Sequence, residues 1–299
     1  MQKFTIRDIE NMCDIKAHTL RIWEQRYNLV APKRKESTHR FYDENDLKKM
    51  LQIAYLYHSG WKISKIASLG EAGIEAFVNN HNLPLPNHAV SIIQLVNAAI
   101  DFDDKRFNRV IDEVISNEGL EACIIQVAFP FLQRIGLLWI TNNIIPAQEH
   151  FSTYLIQHRI IAATESLSPN IHPKGDIVLY TPDGEHHELP LLFLCYMLKK
   201  HGWRTLYFGS NVKWQHLETV IQKASVTAVY LHMVTNFTRF DIDDYFEELC
   251  KAFPAKRIVA SGTAIHAAQR NFTNLELLKT NASIYKFLAL GPTLAVRKS

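Results

Sequence analysis

Apolar residues in the middle of the chain recur with the period of a helix. The four stripes that they form are Ile92, Val96 and Ile100; Phe107, Val110, Ile111 and Val114; Phe131, Ile135, Leu138 and Trp139; and Tyr154, Ile156, Ile160 and Ile161. Spacings of three and four residues place such side chains on one face of a helix. The pattern predicts a four-helix bundle, packed antiparallel, over residues 88–170.

From residue 174 onwards, short apolar runs alternate with helical segments. The strand-like runs are 176–180, 203–208, 227–233 and 257–260, and the helices expected between them are 191–200, 214–224 and 241–253. Strands that alternate with helices favour a parallel sheet covered by helices. Residues 174–299 are therefore predicted to form a flavodoxin-like α/β domain, so that the chain as a whole is multidomain.

Two short helices joined by a tight turn open the chain. Thr5 and Asp8 have the spacing of a helix start, and after Cys13 a second helix is expected from about Lys16. The second helix has an apolar face and a polar face, formed by Leu20, Trp23 and Tyr27 and by His18, Arg21 and Gln25 respectively. This arrangement is typical of a helix-turn-helix whose second helix enters the major groove of DNA.

A basic segment follows these helices and is predicted to form a two-stranded wing, after which helices are expected from 43–46 and from Trp61. Lysine and arginine in a wing neutralise phosphates. The predicted head covers residues 1–75. Its expected DNA contacts are Lys16, His18, Thr19, Arg21, Gln25, Arg26, Lys33, Arg34, Lys35, Arg40 and Tyr42.

The charge is unevenly distributed along the chain. Residues 1–70 hold 13 Lys/Arg and 8 Asp/Glu, a net charge of +5, whereas the remainder holds 20 and 22, a net charge of −2. A positive head on a nearly neutral body fits contact with a polyanion through the head alone. Residues 76–87 are polar and contain prolines, which predicts a linker.

The remaining composition argues against several classes of protein. Four widely spaced cysteines without a CxxC pair predict neither a disulfide framework nor structural zinc, and favour a reducing compartment. Neither a signal peptide nor a membrane-length apolar stretch is recognised, so a cytoplasmic location and no membrane partner are expected. Since no hydrolase triad, P-loop or dinucleotide fingerprint is found, catalytic activity is not predicted.

Residues with ligand chemistry fall in two places. Trp139 is followed by the Glu149–His150 pair in the predicted bundle, and the loop after the first strand of the α/β domain contains Glu185 and His187. Ligands of such sheets bind at the carboxyl ends of the strands, where this loop lies. The two groups suit a large flat cofactor. A small-metal site built from the same carboxylates and histidines is an open alternative.

The head resembles that of the MerR family of transcription regulators. The resemblance rests on Thr19–Tyr27 followed by Pro32, Arg34, Arg40, Tyr42 and Asp46–Leu47. The form of Arg21–Tyr27 is similar to the branch with cobalamin-binding sensor domains, the CarH/LitR type. The resemblance implies a double-stranded DNA operator and a homo-oligomer, dimer or tetramer. Cys13–Asp14 and Ser37–Thr38 depart from the glycines usual in the turn and in the wing.

The middle of the chain resembles the helical cap of cobalamin-dependent regulators, through Pro130, Gly136, Trp139, Glu149 and His150 at matching spacing. The resemblance implies that Trp139 packs on the adenosyl group or the corrin face. It also implies that Glu149 and His150 bind the polar edge of the cofactor. At the residue after the tryptophan, where light-sensing members carry a cobalt-binding histidine, this chain has an isoleucine. The resemblance therefore does not extend to a light-driven switch of cobalt ligands.

The loop of the α/β domain resembles the cobalamin motif Asp/Glu-x-His-x-x-Gly. It implies that His187 is the lower cobalt ligand, supported by Glu185, with His186 a solvent-facing neighbour. The motif's glycine is Pro190 here. Two further positions of the family's pocket also differ: His232 stands for a serine, and Ser261–Gly262 stand for the two glycines that the nucleotide tail approaches.

Together the resemblances imply a transcriptional regulator that senses cobalamin, in the form of adenosylcobalamin, or a derived signal. Repression is the expected mode, with activation left open. The ligand would control oligomerisation and operator binding. One alternative keeps the architecture but works without cobalamin, through protein–protein contacts or another ligand. Another is a corrinoid protein of a methyltransferase or mutase system, which would need no DNA-binding head.

Overall fold

The computed structural model describes residues 4–13, 15–29, 33–34, 40–58, 60–80, 88–140, 146–168, 173–235 and 241–289. The chain divides into two compact units, Met1–Ile156 and Gln157–Ser299. The predicted head and most of the predicted bundle share the first unit, and the boundary lies inside a helix. The predicted domain boundaries at residues 75, 87 and 170 stay predictions. None of the helices in the described ranges is long and apolar enough to cross a membrane.

The head contains four helices and a two-stranded hairpin. In chain order they are α1 (Ile6–Cys13), α2 (Ala17–Tyr27), β1 (Lys33–Arg34), β2 (Arg40–Phe41), α3 (Glu44–His58) and α4 (Ile63–Asn80). β1 and β2 pair antiparallel, as expected for a wing. Because α4 continues to Asn80, the first residues assigned to a linker are helical.

Reciprocal hydrogen bonds at helix starts explain where the head's helices begin. Before α1, the Thr5 backbone N–H donates to the Asp8 carboxylate at 2.7 Å, and the Asp8 N–H donates back to the Thr5 hydroxyl. Asp43 and Asp46 exchange the same pair of bonds at the start of α3, at 3.0 Å each. These reciprocal pairs, known as capping boxes, satisfy N–H groups that lack partners within the helix. They confirm the two predicted helix starts.

The helical part consists of α5 (His88–Asp101), α6 (Asp104–Cys123), a π-helical turn (Ile124–Ala128), α7 (Phe129–Ile140) and α8 (Pro146–Glu165). The apolar stripes predicted on α5 and α6 are buried. The stripe on α8 was partly wrong, because Tyr154 is 59% exposed and Ile161 41% exposed, whereas Ile156 and Ile160 are buried. At about 100° per residue, Tyr154 and Ile161 lie on other faces than the buried pair.

The head packs on the helical part inside the first unit. α3 lies against α5, and α1 contacts α5 and α7. At this contact the Lys48 ammonium lies 2.5 Å from the Asp101 carboxylate. The ion pair is partly exposed and therefore adds little stability, so the apolar faces of the helices carry the contact.

The second unit is a five-stranded parallel sheet with helices. Its elements are β3 (Asp176–Tyr180), α9 (Leu189–Lys200), β4 (Arg204–Tyr207), α10 (Glu218–Ile221), β5 (Val226–His232), α11 (Ile242–Ala252), β6 (Arg257–Ser261), β7 (Leu275–Leu278) and α12 (Asn281–Ala289). The strand order is β4-β3-β5-β6-β7, which is the order of flavodoxin-like sheets and confirms that prediction. β7 and α12 were not predicted, and the helix expected at 214–224 is a 3-10 turn followed by the short α10.

The strand order places the functional loops. The direction of winding reverses between β3 and β5, which are neighbours in the sheet. At such a switch point the loops that follow the two strands diverge and leave a crevice at the carboxyl edge. The loop with Glu185 and His187 follows β3, and residues 233–235 follow β5.

Candidate functional site

The second helix of the head presents a polar face to solvent. Leu20 and Trp23 are buried, and the Trp23 ring meets Tyr57 of α3 edge-on, with the ring centroids 4.8 Å apart. Among the predicted DNA contacts, those exposed on α2 or just before it are Lys16, His18, Arg21, Gln25 and Arg26. Thr19 is half-buried. This face has the donors needed for phosphates and base edges.

Tyr42 has a structural position that differs from the predicted one. Its side chain is 1% exposed, and its hydroxyl donates a hydrogen bond to the Glu24 carboxylate on α2. Its backbone also pairs with Phe4 through two bonds of 2.8 and 2.9 Å. Tyr42 therefore ties the end of the wing to α2 and to the segment just before α1, and we withdraw it as a DNA contact.

The wing is anchored through Lys33. Its exposed ammonium pairs with Asp43 and lies 3.5 Å from Asp46, and the hydrogen bond with Asp43 raises the pKa of Lys33. Arg34 and Arg40 lie in β1 and β2, but their side chains, and the whole of Lys35, fall outside the described residues.

The three cofactor contacts predicted in the helical part lie near the end of one helix and the start of the next. Trp139 is in the last turn of α7, and its side chain is outside the described residues. Glu149 is in the first turn of α8, where the helix dipole favours a carboxylate, and His150 follows it. Glu149 accepts a 2.8 Å hydrogen bond from the Thr153 hydroxyl. The His150 side chain is largely exposed, with Nδ1 3.3 Å from the Glu149 carboxylate.

In the second unit, the Glu185 carboxylate is fully buried and accepts five hydrogen bonds. Oε1 accepts from the backbone N–H of His187 at 2.9 Å and from its Nδ1 at 2.6 Å. Oε2 accepts from the N–H groups of Val234 and Thr235 at 2.8 and 2.7 Å, and from the Thr235 hydroxyl at 3.1 Å. One carboxylate thus joins the loops after β3 and β5.

These bonds determine the charge of Glu185. Burial alone would raise the pKa of this carboxyl, but the hydrogen bonds from His187, Thr235 and Val234 outweigh it and lower the pKa to about 2. An ionised carboxylate only accepts hydrogen bonds, so His187 Nδ1 carries the proton. In the neutral ring the lone pair then lies on Nε2. A carboxylate that orients a histidine in this way is a common support for metal-ligating imidazoles.

The loop that carries His187 is held at both ends. The Thr181 hydroxyl donates to the Glu185 carbonyl at 2.6 Å, and the Asn211 side chain accepts from the Gly184 N–H at 2.8 Å. Just before α9, Glu188 accepts a 2.8 Å bond from the Tyr207 hydroxyl. The His187 side chain is nevertheless 51% exposed, so a fixed loop presents an accessible imidazole. His186 is exposed, as expected.

Ser261 and Gly262, the two residues that the nucleotide tail of the cofactor was expected to approach, are in contact with other atoms of the protein. Ser261 is fully buried and its hydroxyl lies 2.8 Å from His232 Nδ1. Gly262 has φ +104°, and a Cβ there would overlap the Met233 carbonyl. The fold itself therefore requires glycine at 262, which was predicted as a cofactor contact.

Sequence reasoning missed Val234 and Thr235. Their contribution is two backbone N–H groups and one hydroxyl, and a backbone donor leaves no mark on residue type. Only the adjacency of β3 and β5 at the switch point indicates that residues after β5 meet the Glu185 loop. Within the described ranges, no group of three or more His, Cys, Asp or Glu is placed to hold a metal ion. This finding gives no support to the small-metal alternative.

Two protein-family models match this chain, one in the head and one in the helical part. The model of the MerR HTH family regulatory protein matches residues 4–72, and a B12 binding domain model matches residues 92–163. The chain thus contains a segment similar to the MerR HTH regulatory family and a second segment similar to a B12 binding domain.

Two curated relatives span most of this chain. It is 25% identical to the HTH-type transcriptional repressor CarH of Myxococcus xanthus over 257 residues, 84% of this chain and 85% of CarH. It is 26% identical to the repressor CarA of the same organism over 265 residues, 86% and 85% of the two chains. The monomethylamine corrinoid protein of Methanosarcina barkeri shares the fold, with a TM-score of 0.53 at 13% identity over 65% of this chain and 95% of that one.

Proposed function

We propose that this protein is a DNA-binding transcriptional repressor whose sensor half binds a corrinoid through His187, and that the bound corrinoid controls self-association and operator binding. The observation that carries the proposal is the buried Glu185 carboxylate. It fixes the His187 ring with Nδ1 protonated while the side chain stays half exposed. Burying a charged carboxylate costs free energy unless hydrogen bonds offset the cost, as the five donors do here. A carboxylate held in this way commonly orients a metal-ligating histidine.

The donor set fits a cobalt ligand. A neutral imidazole with a carboxylate on Nδ1 presents Nε2 as the ligating atom, and imidazole nitrogen suits transition metals. The chemistry that a corrinoid supplies is a ligand on cobalt that can be exchanged. Glu149 and His150 keep their expected part in binding the cofactor, as does Trp139, from the likeness to cobalamin-dependent regulators.

The head supports the DNA-binding half of the proposal. Its exposed polar face on α2 and its basic wing have the chemistry of phosphate and base contacts, and the curated relatives are transcriptional repressors. Two heads on operator half-sites bind far better than one when they are joined. A ligand that changes self-association therefore changes operator occupancy. Catalysis is not part of the proposal.

The test is binding of adenosylcobalamin in the dark, followed by gel filtration and a visible spectrum. We expect the unmodified protein to retain colour with about one cobalt per chain, and His187→Ala to lose it. His186→Ala is the matched control, since His186 is the exposed neighbour on the same loop, and it should retain the colour. An unmodified protein that stays colourless with adenosylcobalamin, and also with the same corrinoid lacking its lower nucleotide, would overturn the corrinoid half and leave the architecture working through another ligand or partner.

A second measurement tests the regulatory half. Light scattering and DNA mobility shifts, each with and without adenosylcobalamin, should change together in the unmodified protein and stay unchanged in His187→Ala. Equal oligomer size and DNA affinity in both conditions would separate ligand binding from regulation.

A further inference from the structure

A buried polar cluster lies beside the His187 loop, at the carboxyl ends of β5 and β6. His232 and Ser261 are register partners on these strands. His232 Nδ1 lies 2.8 Å from the Ser261 hydroxyl, which also accepts a 2.7 Å bond from the Tyr230 hydroxyl. Tyr230 and Ser261 are fully buried, and His232 is 9% exposed. Alternate residues of a strand share a face, so all three side chains lie on one face of the sheet.

The Tyr230 hydroxyl donates to Ser261, and the Ser261 hydroxyl either donates its own proton to His232 Nδ1 or accepts one from it. Burial lowers the pKa of His232 to about 4, so its ring is neutral near pH 7. Breaking either bond leaves a buried polar atom unsatisfied, so the three side chains hold one another in place.

Backbone atoms fill the carboxyl end of the sheet where β5 and β6 end. The Met233 N–H donates to the Ser261 carbonyl at 2.9 Å, and the Ala264 N–H donates to the Met233 carbonyl at 3.0 Å. The Met233 carbonyl occupies the space that a side chain at Gly262 would need. Side-chain and backbone atoms of the protein thus fill the end of the sheet between these two strands.

This filled end of the sheet borders the loop that carries His187. Val234 and Thr235, which directly follow His232 and Met233, donate their backbone N–H groups to Glu185. Cobalamin carries a nucleotide loop on its lower face, and a histidine that takes the lower cobalt position displaces the base at the end of that loop. The displaced nucleotide needs room beneath the corrin. Cobinamide is the same corrinoid without the nucleotide and has no such need.

We infer that this protein selects corrinoids without a bulky lower nucleotide, and that His232 and Ser261 enforce this selection by filling the space beside His187. The inference rests on the proposed function, because it requires His187 to bind a corrinoid. It assigns a specificity role to two residues that the proposed function leaves unused.

The experiment titrates the full chain with diaquocobinamide and with hydroxocobalamin, and follows the visible band shift on imidazole coordination. We expect the unmodified protein to bind cobinamide at least about tenfold more tightly than cobalamin. The double variant His232→Ser/Ser261→Gly should shift this ratio by about tenfold or more toward cobalamin, since a steric difference of a few atoms commonly has such an effect. His186→Ala, the matched control, should keep the original ratio.

The outcomes separate the two proposals. Equal or tighter binding of cobalamin by the unmodified protein overturns the inference and leaves the proposed function standing. Failure to bind either corrinoid overturns both. If the double variant does not fold, as judged by circular dichroism, the ratio in the unmodified protein and in His232→Ser alone decides the matter.

Discussion

The Glu185 carboxylate accepts a 2.7 Å hydrogen bond from the backbone N–H of Thr235, fifty residues further along the chain. The bond crosses the switch point of the sheet, since Glu185 follows β3 and Thr235 follows β5. The same carboxylate holds His187. The orientation of the candidate cobalt ligand therefore depends on how the loop after β5 is placed.

We expect Glu185→Gln to lower the free energy of unfolding by about 3 kcal/mol, because the amide NH2 would face N–H donors where a carboxylate oxygen now accepts. Urea unfolding at pH 7.5 measures this loss. Glu188→Gln is the matched control on the same loop. Its partners are the hydroxyls of Tyr207 and Ser210, and a hydroxyl can turn to accept from an amide, so the control should cost under about 1 kcal/mol. Equal losses in the two variants would contradict the role given to Glu185.

The pH dependence of stability should reveal His232. Burial lowers its pKa to about 4 from 6.5, so the unfolded chain takes up a proton before the folded one does. Stability from this group is complete above pH 6.5 and is lost as the pH falls through 4, by about 3 kcal/mol in total. His232→Gln should flatten the unfolding curve within this window. An unchanged slope in the variant would show that other groups cause the loss.

Glu185 adds a second, more acidic window. Its pKa of about 2 lies below the ordinary 4.5, so its contribution to stability is present above pH 4.5 and is lost as the pH falls toward 2. Acid titration followed by tryptophan fluorescence should show this second phase in the unmodified protein. The phase should be absent from Glu185→Gln, which has no carboxyl to titrate there.

Arg21→Ala should weaken DNA binding without changing the melting temperature, because the side chain is exposed on the polar face of α2. If it contacts a phosphate, the slope of log K against log salt should fall by about one. DNA selected from a random pool with the unmodified protein serves as the probe in mobility shifts. Arg109→Ala is the control, since Arg109 is exposed on α6, outside the head. Similar weakening in both variants would mean that only net charge matters.

Gly262→Ala should destabilise the second unit by more than about 3 kcal/mol. The new Cβ would overlap the Met233 carbonyl, and the positive φ adds strain. Gly119→Ala separates the two causes, because Gly119 has φ +85° but open space around it. That control should cost about 1–3 kcal/mol, the strain alone. Thermal unfolding of the two variants gives the comparison, and a smaller loss for Gly262→Ala would show that the sheet end can relax.

The sequence predicted the sheet and the pairing of Glu185 with His187 because both depend on patterns that residue types record. Apolar runs placed β3 to β6, and the spacing of Glu185 and His187 put both on one loop. β7 was missed because its four residues, with Glu276 in the middle, do not form an apolar run. The exposure of Tyr154 was missed because a tyrosine fits a core stripe as well as a surface.

The sequence did not indicate which groups form hydrogen bonds with one another. The donors of Val234 and Thr235 are backbone groups, and Tyr42 at the wing has the residue type of a DNA contact while its position is that of a core residue. His232 and Ser261 stood out only as departures from a family pattern. Their bond to each other appears only when β5 and β6 are paired.

The packing of α3 on α5 has a consequence for the operator. Since the head belongs to the same compact unit as the helical part, the proposed self-association would space two heads by the arrangement of whole units rather than by the length of a tether. Such a dimer would bind both half-sites only when they face the same side of the double helix. Inserting about five base pairs, half a turn of B-DNA, would turn the second half-site to the opposite side of the double helix. Inserting a full turn would return the second half-site to the same side of the double helix but would leave it farther from the first half-site.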